Sequence, residues 1–342
     1  MARLFTAGAE MGDNLEWSAF TGANPTSAAA RSGNFGFYLD GFQDYARFTL
    51  STPVSESFYR IPFRPQGALA SISAALSGTK IASFKSGSTE LARVVIDGVN
   101  AKLAAFVGST NIGTGIKDVS VSTFYLVEVR YKVSSTVGVL QVKINSAMDI
   151  DFSGNTQPGS DTTYNVVETS EGTSEGLVAW LYFDDVALND TTGTEDNSWP
   201  GDGRILPLIP NAAGTYTSIA TLVGAATHWE AVDDVVPHDV DTTYILDEVI
   251  DRKDTFNTSH TVPSTVTINR VWVEARARCS VSGTASLAAL VLSGASLATG
   301  PDKALLSTYG RVASSFYTTD PNTGLAWTFS AVDALEVGVK IR

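Results

Sequence analysis

A single cysteine, Cys279, stands in a chain of 342 residues, so no disulfide can close within it and metal sites built from clustered cysteines are excluded. Histidine is almost as scarce: His228, His238 and His260 contain no pair spaced as metal ligands on one helix, and surface or interdomain roles are expected for them. Charge is sparse, at 17% of residues, and short of cations, with 23 Lys and Arg against 36 Asp and Glu. The net charge of -13 repels phosphate backbones and anionic bilayers, which argues against nucleic acid and membrane as partners. No apolar run approaches the ~18 residues of a membrane span. The opening Met1-Ala2-Arg3-Leu4-Phe5 lacks the apolar core of a secretory signal, so the chain is expected to fold in a cytoplasm and to reach the outside only within something larger.

What the chain does have is a period of two. Val127, Val129, Tyr131 and Val133 alternate with Glu128, Arg130 and Lys132, and Leu140, Val142 and Ile144 alternate with Gln141 and Lys143. Strands that bury one face require this rhythm. Similar short strands are expected at 35–39, 46–50, 58–63, 68–76, 80–84, 92–96, 102–107 and 177–188, separated by turn formers such as Ser77-Gly78, Asp97-Gly98 and Ser153-Gly154-Asn155. From Val271 to Val281 the pattern returns, with Val271, Val273, Ala275, Ala277 and Cys279 inward and Trp272, Glu274, Arg276 and Arg278 facing away.

With 44% hydrophobic residues the chain can bury cores for about two domains of ~100–200 residues each. The polar run Asn189-Asp190-Thr191-Thr192-Gly193 marks a boundary. The expected fold is all-β, two antiparallel β-sandwiches of jelly-roll type: residues 1–190, an acidic connector at 191–254 with a short helix near Tyr244 to Ile250, and a smaller sandwich at 255–342.

Several stretches carry a resemblance. They are Gly12-Asp13-Asn14-Leu15-Glu16-Trp17, Arg31-Ser32-Gly33-Asn34-Phe35-Gly36-Phe37-Tyr38-Leu39, the hairpin formed by Phe124 to Val129 and Gly138 to Asn145, and Phe183-Asp184-Asp185-Val186. Together they are similar to the concanavalin A-like (laminin-G-like) lectin sandwiches of tailed-bacteriophage virion proteins. Gly201-Asp202-Gly203-Arg204-Ile205, Asp239 to Ile245 and Thr319 to Thr328 resemble segments that follow such sandwiches in the same proteins. The resemblance implies a virion location and symmetric homo-oligomers that meet other phage capsid or tail proteins. Its motifs are strand and turn residues, without a chemical signature.

Candidate sites follow from residue type. Asp184, Asn189 and Asp190 offer hard oxygen ligands for Ca²⁺, and no other cofactor is expected. The carboxylates Glu230, Asp233, Asp234, Asp239, Asp241, Asp247, Glu248, Asp251 and Asp254 suggest a solvated or docking face. Gly172-Thr173-Ser174-Glu175-Gly176 matches a nucleophile-elbow pattern, but the strand expected after it is the wrong flank. Among Trp17, Trp180, Trp199, Trp229, Trp272 and Trp327, core packing is expected for Trp180. Trp272, with Glu274 and Arg276, is the candidate for an interface or a carbohydrate platform. The resemblance, with no catalytic set singled out beside it, leads to the expectation of a non-enzymatic virion protein, a capsid decoration or tail-fibre component acting by assembly. The alternative is a receptor-binding protein that recognises host-surface polysaccharide through the first sandwich.

Overall fold

A computed structural model describes residues 3–41, 43–67, 78–97, 101–171, 179–234, 238–239 and 241–342; the strand expected at 68–76 lies outside these. The chain divides into two compact units, Met1–Ile205 and Leu206–Arg342. Both are built from antiparallel strands, as the alternation requires.

In the first unit, two sheets press their apolar faces together. One sheet has nine strands: along its main path run Ala147–Gly154, Gly138–Ile144, Tyr125–Lys132, Glu56–Gly67, Ala179–Phe183, Gly36–Leu39 and Ala23–Thr26, and Arg3–Ala7 joins through Val186–Asn189. The other has seven, in the order Thr110–Asp118, Lys102–Val107, Thr89–Asp97, Lys80–Ser86, Tyr164–Ser170, Tyr45–Val54 and Ala19–Thr21. Val127, Val129, Tyr131, Leu140, Val142 and Ile144 reach the shared core with Phe84, Val94, Leu103, Ala105, Tyr164 and Val167 from the facing sheet. Each large apolar side chain contributes roughly 1.5–3 kcal/mol on burial, which opposes the entropy of ordering so many strands. Three buried tyrosines are satisfied inside this layer: Tyr59 Oη lies 3.1 Å from Thr169 Oγ1, Tyr131 Oη donates to Thr156 O at 2.9 Å, and Tyr164 Oη donates to Ser57 Oγ at 2.8 Å.

Trp180 departs from its expected place. Leu181 and Phe183 enter the core, so Trp180 and Tyr182 stand on the outer side of the nine-stranded sheet and are only partly buried. The run Ala179–Phe183 is apolar throughout, and a run without alternation does not reveal which parity faces in.

The second unit has its own sheet, in the order Leu208–Thr217, Lys253–His260, Glu336–Ile341, Ser286–Ser293 and Ser296–Thr299, and a two-stranded sheet of Glu274–Ala277 with Gly310–Ala313. Val271, Val273, Leu287, Val291, Val312, Trp327 and Leu335 form its core, with Ala275, Ala277 and Cys279 packed at its margin. The segment expected as a connector, 191–254, contains the division between the two units. Residues up to Ile205 belong to the first, and Leu208–Thr217 pairs directly with Lys253–His260 in the second. The short helix expected near Tyr244 is instead a strand, Tyr244–Leu246, paired with Thr221–Val223; backbone pairing decides the conformation of so short a piece.

Glu10 ties the start of the first unit to its first long loop. Its carboxylate accepts the Asn34 backbone N–H at 2.9 Å, beside Gly33 at φ +61°. Burial raises its pKa to about 8, against the pull of the Asn34 and Phe35 amides. An acid raised in the folded state keeps a proton that the unfolded chain releases near pH 4.5, so its contribution to stability falls as pH rises from about 4.5 to 8. Glu10→Gln is expected to flatten that decline in melting temperature; an unchanged pH profile would assign the decline to other groups.

Candidate functional site

Among the described residues, four of the ten ion pairs of the first unit gather on the outer face of the seven-stranded sheet around two carboxylates, Glu90 and Glu168. Strand register sets Arg47 opposite Glu168, Glu168 opposite Ser83, Ser83 opposite Arg93, and Arg93 opposite Phe106. Five adjacent strands thus present one continuous row, about 19 Å long at ~4.8 Å per strand. On one side of it, Val166 pairs with Lys85 and Lys85 with Glu90; on the other, Ser170 pairs with both Tyr45 and Lys80.

Each of the two carboxylates is shared between two cations. Glu168 Oε2 accepts from Arg47 Nε at 2.7 Å while its Oε1 takes Lys85 Nζ at 2.5 Å. Glu90 Oε2 accepts from Lys80 Nζ and Ser83 Oγ, both at 2.7 Å, and its Oε1 from Arg93 Nη1 at 2.9 Å. Burial pushes the Glu90 carboxyl upward, but the hydrogen bonds of Lys80 and Ser83 and the charges of Lys80 and Arg93 outweigh it and hold it below the ordinary range. Aromatic rings sit at both ends, with the Arg47 guanidinium 4.5 Å over Tyr45 and that of Arg93 4.5 Å over Phe106. Within the row and its flanks four cations meet two carboxylates, a net of two positive charges on a chain of charge -13, while farther along the same face Lys102 stands beside Asp97 and Asp118. Ser83 and Glu168 are nearly inaccessible although neither enters the core, so the row is a preorganised floor with its cations at the rim.

The outer face of the nine-stranded sheet is closed differently. The stretch 198–205 crosses it: Gly201 N donates to Glu128 Oε1 at 2.6 Å, Arg60 donates to Asp185 O at 2.7 Å and Gly201 O at 3.1 Å, and the Trp199 ring packs on Phe58 under Lys143. Burial brings the Arg60 guanidinium down to about 10 against the attraction of Asp185. Beyond this crossing lies a depression of about 410 Å³ lined by Arg31, Phe124, Leu126, Asn145, Ser146, Asp202 and Arg204.

The residues singled out in the sequence fall into two places. Asp184 accepts the backbone N–H groups of Arg31 at 2.8 Å and Ser32 at 3.1 Å, Asn189 accepts from Arg3 Nε at 2.5 Å, and Asp190 caps Thr192 at 2.8 Å. These oxygens each serve a separate chain crossing, and among the described residues no three His, Cys, Asp or Glu side chains converge as metal ligands. Burial and the Asp185 charge push the Asp184 pKa well up, against three backbone amides.

Trp272, Glu274 and Arg276 do come together in the second unit. Trp272 Nε1 donates to Glu274 Oε1 at 2.7 Å, Arg311 pairs with the same oxygen, the Trp272 ring meets Phe316 edge-on at 5.6 Å, and Arg276 lies 4.3 Å over Tyr309. The acidic residues of 230–254 do not act as one surface. Asp254 is buried against His228 Nδ1 at 2.5 Å, Asp247 accepts from Ala220 N and Val249 N, and Asp241 holds Arg278 and Tyr309. Ser174 and the pattern around it lie outside the described residues.

Sequence reasoning located most of the strands of the charged face but not the face itself. The available signal was local: Lys80, Lys85, Glu90 and Arg93 crowd one hairpin, around Gly87 at φ +57°, in a chain otherwise poor in charge.

No family model matches the chain, and neither does any curated protein. Among solved structures it is similar to an endo-β-1,4-glucuronan lyase from the fungus Trichoderma reesei, with a TM-score of 0.43 and 15% identity over 55% of this chain and 96% of that one. An alginate lyase matches at a TM-score of 0.41 and 10% identity, over 56% of this chain and 98% of its own. A carbohydrate esterase of the Shiga toxin-encoding bacteriophage phi24B matches at 0.39 and 15%, over 55% and 97%. The expectation of a non-enzymatic protein is corrected by these matches. It leaned on the sandwich fold, and sandwiches matched to this chain include polysaccharide lyases and an esterase, so the fold does not exclude chemistry.

Proposed function

We propose that this chain is a component of a tailed-bacteriophage particle, displayed on capsid or tail, whose first unit holds an acidic polysaccharide of the host surface across its seven-stranded sheet. The observation that carries the polysaccharide reading is the row from Arg47 to Phe106: a positive, aromatic-ended floor spanning five strands on an otherwise acidic molecule. An extended sugar polymer matches such a floor. Its carboxylates meet rim cations that are already oriented by Glu90 and Glu168, and its C–H faces meet Tyr45 and Phe106. The particle reading is supported by the lectin-sandwich resemblance of the strand and turn residues. In it, sister copies and neighbouring virion proteins are the assembly partners, and repetition by symmetry multiplies a weak sugar contact into stable adhesion.

Binding to polyglucuronate and to neutral dextran, measured by calorimetry at low and high salt, tests the site. Affinity for the acidic polymer is expected to exceed that for dextran by at least tenfold and to fall roughly tenfold between 50 and 500 mM salt, as screening shortens the reach of the rim charges. Equal binding of both polymers, or indifference to salt, would sink the reading. Antibody labelling of purified particles in the electron microscope tests the location, and bare particles would remove it.

A further inference from the structure

We propose that the depression on the opposite sheet is a second sugar site, one that takes a single carboxylated sugar unit. Its volume of about 410 Å³ lies within the ~300–1,000 Å³ of small-ligand sites. The lining combines what such a ligand presents. Phe124 and Leu126 offer an apolar wall for a sugar C–H face, while Arg31 and Arg204, two guanidinium groups that share the single lining carboxylate Asp202, leave one positive charge for a ligand carboxylate.

The polar groups are held in place from behind. Asn145 Oδ1 accepts from Leu126 N at 3.0 Å, which leaves its amide nitrogen as a donor for a hydroxyl, and Asn145 and Ser146 take φ of 51° and 68° in the hairpin turn. Arg31 is locked by Asp185 at 2.8 Å, whereas Arg204, anchored through Nη1 on Arg31 O at 3.0 Å and 3.9 Å from Asp202, remains half exposed and turns part of its guanidinium to solvent. The resulting ligand has one carboxylate, several hydroxyls and an apolar ring face, the description of a uronic acid.

This site stands apart from the charged row on the seven-stranded sheet, so the two readings fail separately. Titration of the full chain with sodium glucuronate, followed by backbone amide shifts, is expected to saturate at low millimolar concentration with the largest shifts at Asn145 and Ser146. Glucose and sodium sulfate are expected to bind at least fivefold more weakly. Arg204→Gln and Phe124→Ala should each weaken glucuronate at least fivefold, whereas Lys117→Glu, an exposed charge change elsewhere, should not. Absence of saturable binding, equal binding of glucose or sulfate, an unchanged Arg204→Gln titration, or shifts confined to Lys80–Ser86 would each overturn the proposal.

Discussion

Asp185→Ala is expected to destabilise the first unit by about 3–5 kcal/mol, the range for removing one partner of a buried charge pair. Asp185 is fully buried, with a left-handed backbone at φ +53°. Its carboxylate accepts from Arg31 Nη1 at 2.8 Å, Ser32 Oγ at 2.6 Å and Ile205 N at 2.7 Å. It therefore joins the loop before Gly36–Leu39 to the end of the stretch that seals the nine-stranded sheet. Alanine would leave the Arg31 side chain, 8% exposed, with Gly203 O and the half-exposed Asp202 as its remaining partners. Asp185→Asn keeps one acceptor oxygen and should recover about half of the loss. Urea unfolding monitored by near-ultraviolet dichroism checks both variants. A loss below about 1 kcal/mol for the alanine would mean that water replaces the carboxylate and that the crossing is not held here.

The second large effect is on binding. Lys80→Glu combined with Arg93→Glu turns the cluster of four cations and two carboxylates on the seven-stranded sheet from a net of two positive charges to two negative ones. Affinity for polyglucuronate is expected to fall on the order of 100-fold, near 2.7 kcal/mol at ~1.4 kcal/mol per decade, and its salt dependence to reverse sign. Both new carboxylates would stand near Glu90, so Lys80→Gln with Arg93→Gln separates charge from folding. That neutral pair should lose about tenfold while keeping the wild-type melting curve within a few degrees. Retention of full affinity by the reversed variant would exclude the face as the polymer site.

Much of the framework was legible from residue order alone. Alternation at Val127 to Val133 and Leu140 to Ile144 identifies strands and their inward sides, and from Val271 to Cys279 it identifies the inward side although only Glu274–Ala277 pairs as a strand, because a pleated chain presents successive side chains to opposite faces. Where alternation stops, legibility stops. The apolar run around Trp180 led to an expectation of core packing, and the structure turns that ring outward. The piece from Tyr244 to Leu246 is too short for a helical or extended preference to decide, and its pairing with Thr221–Val223 settles it.

The charged face was illegible for a more specific reason. Lys80 and Lys85 lie five apart and Glu90 and Arg93 three apart, odd separations that a period of two sends to opposite sides. Register shifts between Lys80 and Ala82 and between Phe84 and Lys85 bring all four onto one surface, since each bulge inserts an extra residue into one strand of the pair. The partners Arg47 and Glu168 are then supplied from strands 121 residues apart. Composition and periodicity by themselves determined a β-built, acidic, disulfide-free molecule, because those properties depend on residue type and nearest neighbours. Which charges meet, and which face can receive a ligand, was decided only by the tertiary structure, because bulges and long-range strand order are set by packing across the whole sheet.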